Sequence, residues 1–295
     1  MPFAVNNLTL FAACVAIWST TWYAITFQLG PVPAELSVAW RFMLAALLVA
    51  FYCRARGLSM RFPPREHAAL AVMGVAMYSA GYICVYRAEE HLASGLVAVG
   101  FSACPLLAMF GMRFFFGQPL TPRMAIGSVF GILGIMLVFW PEVARLSQVD
   151  HAADGAIYTV LAVVVSTIGG LLAHRNHKSG LHGLPTIAWS MGYGGVFALL
   201  VALALGRQLA IDASPSYMLS LLYLSVVGSV AAFGAWLTLI GRIGPARASY
   251  VGVMVPVVAL AISALFENLA WHPLIAAGMA VSLAGNVLVL SEPRQ

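Results

Sequence analysis

Apolar stretches long enough to span a bilayer follow one another along the whole chain, interrupted by short clusters of charged residues, proline and glycine. A helix needs about 20 predominantly apolar residues to cross the hydrocarbon core. The pattern predicts ten such helices, over residues 8–28, 33–53, 67–87, 92–115, 122–140, 154–174, 183–205, 216–240, 246–267 and 273–291. A membrane β-barrel would alternate apolar and polar positions instead, and no stretch does so. We therefore predict an all-α integral membrane protein.

The amino-acid composition is typical of a membrane protein, and the sequence lacks the catalytic motifs sought in it. Of the 295 residues, 62% are hydrophobic and 8% are charged, far from the balance of soluble domains. Neither HExxH nor GxSxG occurs, and the four cysteines stand singly, so we expect no enzyme activity and no cofactor. His174, His177 and His182 lie beside Arg175 and Lys178, which is a poor environment for a cation, so no metal site is expected.

The distribution of basic residues predicts the orientation, because positively charged loops resist translocation. With a cytoplasmic N-terminus, the inner side holds Arg54, Arg56, Arg61, Arg65, Arg113, Arg123, Arg175, Lys178, Arg242, Arg247 and Arg294. The outer side holds Arg87, Arg145 and Arg207. We expect a multi-pass protein of the inner (plasma) membrane with both termini in the cytoplasm. The net charge of +5 therefore indicates topology, and we expect lipid but no nucleic acid as a partner.

Proline and glycine positions repeat at an offset of 151 residues. The matching pairs are Pro105 with Pro256, Pro122 with Pro273, Gly127 with Gly278, and Gly134 with Gly285. Ala39 and Trp40 also match Ala188 and Trp189, at an offset of 149. These matches predict two five-helix repeats, residues 1–145 and 146–295, within one membrane domain. Because five is odd, the second repeat crosses the membrane in the opposite sense, an arrangement many secondary transporters use for alternating access.

Small residues recur on one face of the fifth and tenth predicted helices. They are Gly127, Gly131 and Gly134 in the fifth, and Gly278, Ser282 and Gly285 in the tenth. Such residues let two helix backbones approach closely, which predicts a seam between the repeats, although general packing in lipid is the alternative. Pro105 and Pro256 lie inside the fourth and ninth helices, where a missing backbone donor favours a bend, so we predict hinges there.

Several longer motifs carry a family resemblance: IWSTTWYAITF in the first helix, AWRFMLAALL in the second, ACPLLAMF in the fourth, GQPLTPRMAIGSVFGILGIMLV in the fifth and FENLAWHPLIAAGMAVSLAGNVLVL at the end. With these motifs the chain resembles EamA-type exporters of the drug/metabolite transporter superfamily. The resemblance implies a ten-helix, two-repeat exporter of small metabolites, and the chain looks most like the YddG-type exporters of aromatic amino acids. The family's usual acid before the fifth helix is replaced by Gln118, whereas the second repeat retains Glu267.

Aromatic residues are the main candidates for the walls of a transport cavity. Tyr78 and Tyr82 share one face of the third helix, and Phe233 and Trp236 form a comparable stripe on the eighth. Phe101, Tyr250, Met254, Ser19 and Ser166 complete the set of candidate substrate contacts. Ordinary packing is the alternative for each of them.

Arg41 is the charged residue that lies well inside an apolar stretch, that of the second predicted helix. Burial of an arginine near the membrane centre costs about 2.5 to 3.5 kcal/mol on insertion scales. Arg41 could bind a substrate carboxylate, form a structural ion pair or contact a lipid headgroup, and the sequence leaves these alternatives open.

The leading functional hypothesis is a monomeric secondary transporter that exports small, neutral, amphipathic metabolites by alternating access. Amino acids fit this chemistry, aromatic ones in particular. No Asp, Glu or His lies in the middle of a predicted helix, which favours uniport without obligatory proton coupling. The alternatives are an exporter of drugs or other metabolites and, in a different class, a receptor or scaffold that transports nothing.

Overall fold

The computed structural model describes residues 6–144, 152–269 and 272–290, and the regular structure in these ranges is entirely helical. Ten principal helices follow the ten predicted apolar runs. They are α1 (Asn7–Thr26), α2 (Ala34–Ala55), α3 (Pro64–Glu89), α4 (Ser94–Phe116), α5 (Pro122–Ala144), α6 (Ala152–Lys178), α7 (Leu184–Ala204), α8 (Pro215–Ile243), α9 (Tyr250–Phe266) and α10 (Pro273–Leu290). The all-α prediction is therefore confirmed for the described residues, and the helix ends differ from the predicted ones by a few positions.

Nine of these described helices have the length and apolar composition needed to cross a membrane, and α9 is the shorter exception. The predicted run 246–267 begins as a separate helical turn, Pro245–Ala248, before α9 starts at Tyr250. Gly244 precedes this turn with φ +80°, a left-handed conformation that favours glycine and ends α8.

The helices pack into two compact units. The first unit comprises Met1–Tyr23, His91–Ile157 and Ala232–Gln295, and the second comprises Ala24–Glu90 and Tyr158–Ala231. Each unit thus draws helices from both predicted repeats. The boundary predicted between residues 145 and 146 concerns the sequence repeat, and it stays a prediction.

In the first unit, α5 and α10 pack closely through their glycines. A Cβ atom added to Gly127 would lie 2.7 Å from the carbonyl oxygen of Gly285, and one added to Gly134 would lie 2.5 Å from that of Gly278. Gly127, the earlier of the two in α5, thus contacts Gly285, the later in α10. Gly134, the later in α5, contacts Gly278, the earlier in α10. The two helices therefore run antiparallel, with no room for a side chain at these positions.

In the second unit, two tryptophans tie α2 to α7. Trp40, near the start of α2, donates its indole N–H to the carbonyl of Ala210, beyond the end of α7 (3.0 Å). Trp189, near the start of α7, donates to the carbonyl of Met60, beyond the end of α2 (2.9 Å). These helices also run antiparallel. Since Trp40 and Trp189 are a matched pair in the sequence, each contacts the loop that follows the other's helix.

Helices α3 and α8 both contain a π-helical segment, which sequence periodicity does not predict. The segments are Ala76–Ala80 in α3 and Tyr223–Ala231 in α8. The offset of 151 carries the first segment onto residues 227–231, inside the second. In α8 the Ser229 hydroxyl donates to the carbonyl of Leu224, five residues earlier (2.9 Å). π-Helical turns are rare, and they occur frequently at functional sites.

Candidate functional site

Within the second unit, the Arg41 guanidinium stacks against aromatic rings. Its Cζ atom lies 4.7 Å from the ring centroid of Tyr82 and 5.0 Å from that of Phe42. The Phe42 ring in turn contacts Tyr82 (4.8 Å) and Tyr78 (5.3 Å). A cation over an aromatic face is attracted by the ring quadrupole. The structure thus brings three predicted site residues together, and it adds Phe42, which the sequence analysis did not identify.

Arg41 is buried, with 2% of its surface exposed, yet part of its hydrogen-bonding capacity is unused. The Nε and Nη1 groups have no hydrogen-bond partner among the described residues. Neither of the ion pairs found in the described ranges involves Arg41, and its burial separates it from lipid headgroups. The role of Arg41, considered from the sequence as a substrate contact, a structural ion pair or a headgroup contact, stays a prediction.

Polar groups surround this arginine. The Tyr86 hydroxyl interacts with the Arg41 guanidinium and donates a hydrogen bond to Oε1 of Gln28 (2.6 Å). The Ser225 hydroxyl, in the π-helical segment of α8, donates to the backbone carbonyl of Arg41 (3.1 Å). Tyr86 thus contacts the guanidinium and Ser225 the backbone of Arg41, and the Nε and Nη1 groups are left for a further acceptor.

Helix α6 comes close to α3 beside this aromatic group. A Cβ atom added to Gly81 would lie 2.8 Å from the Ser166 hydroxyl oxygen, which places Ser166 one residue along α3 from Tyr82. Helix α7 also packs on α3, since a Cβ atom added to Gly194 of α7 would lie 2.8 Å from the Tyr78 Cβ. Tyr78 is accordingly buried between helices. Ser166, a candidate from the sequence analysis, thus lies beside the predicted stripe of α3.

The first unit contains a second aromatic group. Trp18 of α1 lies 5.6 Å from Phe233 and 5.3 Å from Trp236, measured between ring centroids. One turn later, Trp22 packs edge to face on Phe101 at 5.0 Å. Phe233 and Trp236 are the predicted stripe of α8, whereas Trp18 and Trp22 were missed as site residues. Their i, i+4 spacing was the available sequence signal.

The two predicted hinge prolines have different local structures. Pro105 follows a 3₁₀ turn, Phe101–Ala103, and in this turn the Ser102 carbonyl accepts a hydrogen bond from the Asn286 amide of α10 (3.2 Å). Pro256 lies within the continuous helix α9, where the Ser19 hydroxyl of α1 donates to the preceding carbonyl, that of Val255 (3.1 Å). Ser19 is fully buried and used in this contact. Its role as a substrate ligand stays a prediction, as does hinge motion at both prolines.

The remaining candidates lie in the first unit near α9. Tyr250 is the first residue of α9 and is partly exposed, and Met254, one turn later, is 41% exposed. Neither residue is among the members of the hydrophobic cluster that contains Trp18 and Trp236. Tyr78, Tyr82 and Arg41 belong to one unit, and Phe233 and Trp236 to the other, so a single cavity shared by both stripes stays a prediction.

Comparison with known proteins gives matches over nearly the whole chain. The model of the EamA-like transporter family matches twice, at residues 7–140 and at residues 154–291. The chain is 26% identical to the "Uncharacterized inner membrane transporter YedA" of Escherichia coli (strain K12), over 86% of this chain and 81% of that protein. It is 24% identical to the "Probable amino-acid metabolite efflux pump" of Salmonella typhimurium, over 92% of each. The fold is similar to that of one protein crystal structure, with a TM-score of 0.69 over 95% of this chain and 94% of the other chain. The two sequences are 17% identical, so this similarity concerns the fold alone.

Proposed function

Because the chain belongs to the EamA-like transporter family, we propose that it exports small, net-neutral, amphipathic metabolites, namely amino acids with a preference for aromatic ones. Its family and its similar proteins are transporters rather than enzymes, and it is a multi-pass protein of the inner membrane. One similar protein carries the name of an amino-acid metabolite efflux pump. In this proposal the protein acts as a monomer with both termini in the cytoplasm.

One observation carries the choice of substrate: a buried arginine with unused donors lies against the face of a tyrosine. Arg41 offers Nε and Nη1 to a carboxylate, and Tyr82 offers an aromatic surface 4.7 Å from the guanidinium carbon. A free amino acid with an aromatic side chain has both complementary groups. Because Arg41 is buried in this conformation, the surrounding helices must open before the carboxylate reaches it, as alternating access provides.

The helix packing supports alternating access by two inverted repeats. The repeat-equivalent helices α5 and α10 run antiparallel in one unit, and α2 and α7 do so in the other. The family model also matches two successive stretches of the chain, one in each proposed repeat. Antiparallel packing of equivalent helices is what a pseudo-two-fold axis in the membrane plane would produce.

The proposed transport is uniport, without obligatory proton coupling. Every described Asp and Glu lies in a loop or within about one turn of a helix end, and Glu35 is paired with Arg87 (2.8 Å). A proton-driven pathway normally contains an ionisable group near the membrane centre. Efflux of phenylalanine from liposomes with no pH gradient should therefore be unchanged by a protonophore, and a strict requirement for a proton gradient would contradict uniport.

The substrate proposal is tested with purified protein in proteoliposomes loaded with radiolabelled phenylalanine or with phenylalaninamide, which lacks the carboxylate. The parent protein should carry phenylalanine faster than the amide. Arg41→Gln should slow phenylalanine by about ten- to hundredfold, the value of a hydrogen bond to a charged group, and should remove the preference over the amide. Arg41→Lys should retain part of the preference for phenylalanine over the amide. Phe51→Ala is the matched control, since Phe51 is a 74% exposed aromatic residue of the same helix.

The outcomes separate the alternatives. A parent protein that carries phenylalaninamide as fast as phenylalanine, with Arg41→Gln unchanged, would indicate an exporter of drugs or other metabolites. A folded parent protein that moves neither compound nor any other amino acid would indicate a receptor or scaffold. An Arg41→Gln variant that folds and loses both substrates equally would give Arg41 a structural role and would contradict carboxylate recognition.

A further inference from the structure

A cavity of about 190 Å³ lies between the start of α3 and the end of α6, within the second unit. Its lining comprises Arg65, Arg175, Asn176 and four small or aliphatic residues, among them Val72 and Leu172. One water molecule takes about 30 Å³ of liquid volume, so the cavity has room for a group of several heavy atoms. This cavity is separate from the Arg41 site.

The two arginines that line this cavity are both exposed, and Arg175 lies in the last turn of α6, where the helix dipole favours a cation. Ion pairs within the part of the chain that the structure describes join Arg87 to two glutamates, and they include neither Arg65 nor Arg175. Two guanidinium groups that line one cavity repel each other. Arg65 also lies in the first turn of α3, where the helix dipole disfavours a cation. Helix stability therefore does not explain Arg65, whereas a bound anion would offset both charges and would interact favourably with the same dipole.

The rest of the lining favours a lipid over a free anion. Asn176 is buried, and its amide donates to the Ala69 carbonyl (3.3 Å), which ties α6 to α3 and fixes the wall between the arginines. Away from the arginines the lining is aliphatic, and Val72 is 57% exposed. Ile168, one turn before Leu172 in α6, is also exposed. An acyl chain gains from this apolar surface, whereas a hydrated phosphate ion does not.

We propose that this cavity binds one anionic phospholipid. Its phosphate accepts hydrogen bonds from Arg65 and Arg175, and its acyl chain lies along Val72 and Leu172. The planar guanidinium groups match phosphate oxygens in bidentate geometry. Basic pockets between membrane helices at the headgroup level bind acidic lipids for the same electrostatic reason. The lipid site does not depend on which substrate is transported.

Native mass spectrometry of the full chain in detergent tests this site, with dioleoylphosphatidylglycerol as the probe. Dioleoylphosphatidylcholine and glycerol 3-phosphate are the comparison ligands. The parent should retain one phosphatidylglycerol in preference to both. Each arginine removed should weaken binding about fivefold, so Arg65→Gln with Arg175→Gln should weaken it about 25-fold. The matched control is Arg56→Gln, because Arg56 is an exposed arginine at the neighbouring end of α2 and does not line the cavity.

Three results would overturn the proposal. Equal retention of phosphatidylcholine would show that the negative charge is not recognised. Displacement of the lipid by glycerol 3-phosphate at equal concentration would indicate a site for free anions. Equal losses in the control and in the double glutamine variant would indicate a nonspecific charge effect. If the double variant does not fold, Arg175→Gln alone must still lose about fivefold and the double lysine variant must retain binding.

Discussion

Replacing Gly134 by alanine is the sharpest perturbation of the contact between α5 and α10. The added Cβ atom would lie 2.5 Å from the carbonyl oxygen of Gly278 and closer still to the backbone nitrogen of Ser282. Favourable contacts between heavy atoms lie near 3.5 to 4.0 Å. Both obstructing atoms belong to the backbone, so no side chain can rotate away, and the helices must separate by about 1 Å to restore normal contact.

The cost follows from this separation. Overpacking a well-packed interface costs about 1 to 3 kcal/mol. Helix association in lipid depends on van der Waals packing, so the looser fit along the rest of the seam adds to that cost. For a chain of this size, we expect the unfolding midpoint to fall by about 2 to 10 °C. Gly170→Ala provides a control of opposite sign: Gly170 lies in the interior of α6 with no atom within 4 Å of an added Cβ, and alanine there gains up to about 1 kcal/mol.

The assay is thermal unfolding of the purified variants, followed by tryptophan fluorescence in one detergent. Midpoints are compared at a single scan rate, because unfolding of such proteins is commonly irreversible. Gly134→Ala and Gly278→Ala should unfold at lower temperature than the parent, and Gly170→Ala at the same or a higher temperature. Gly206 is a poorer control because its φ of +70° disfavours any side chain. A Gly134→Ala variant as stable as the parent would refute the close packing of the seam.

Three further predictions concern the substrate, one helix cap and the topology. Tyr82→Ala and Trp236→Ala should each slow phenylalanine transport about 2- to 12-fold, with a smaller effect on alanine; equal effects on both amino acids would argue against aromatic recognition. Glu267→Gln should lower the unfolding midpoint by a few °C without altering substrate preference, because the carboxylate accepts hydrogen bonds at the first residue of α4 (2.9 and 3.1 Å); altered preference would contradict this structural role. Reporter fusions after Arg61 and Lys178 should both signal cytoplasm, and an external signal after Lys178 would contradict the inverted repeat.

Sequence length and hydrophobicity were sufficient to predict the number and approximate ends of the helices, because lipid imposes one length on every span. The prediction missed a break near the start of α9: the run 246–267 was predicted as one helix, whereas a separate helical turn, Pro245–Ala248, precedes α9, which starts at Tyr250. A hydrophobic count does not report backbone dihedral angles. The π-helical segments were missed for the same reason, since they change the hydrogen-bond pattern without a change in composition.

The candidate site could be predicted only where its residues share one helix face. Tyr78 and Tyr82 were identified from their spacing, and their positions on α3 agree with a common stripe. Phe42 and Trp18 come from other helices, so no periodicity within one helix links them to the stripes. The stacking of Arg41 on Tyr82 also depends on the packing of α2 against α3, which a single sequence does not give.

The packing of α5 on α10 explains why the chain contains the same small residues twice. Gly127 is equivalent to Gly278, and Gly134 to Gly285, at the offset of 151. The close contacts join Gly127 with Gly285 and Gly134 with Gly278, so the repeat relation exchanges one contact for the other. A two-fold axis between antiparallel helices produces this exchange, because the repeat equivalents of two residues in contact are then also in contact with each other. A side chain on either helix would meet backbone on the other, so both helices need the glycines, and a seam built this way supports the proposed inverted repeat.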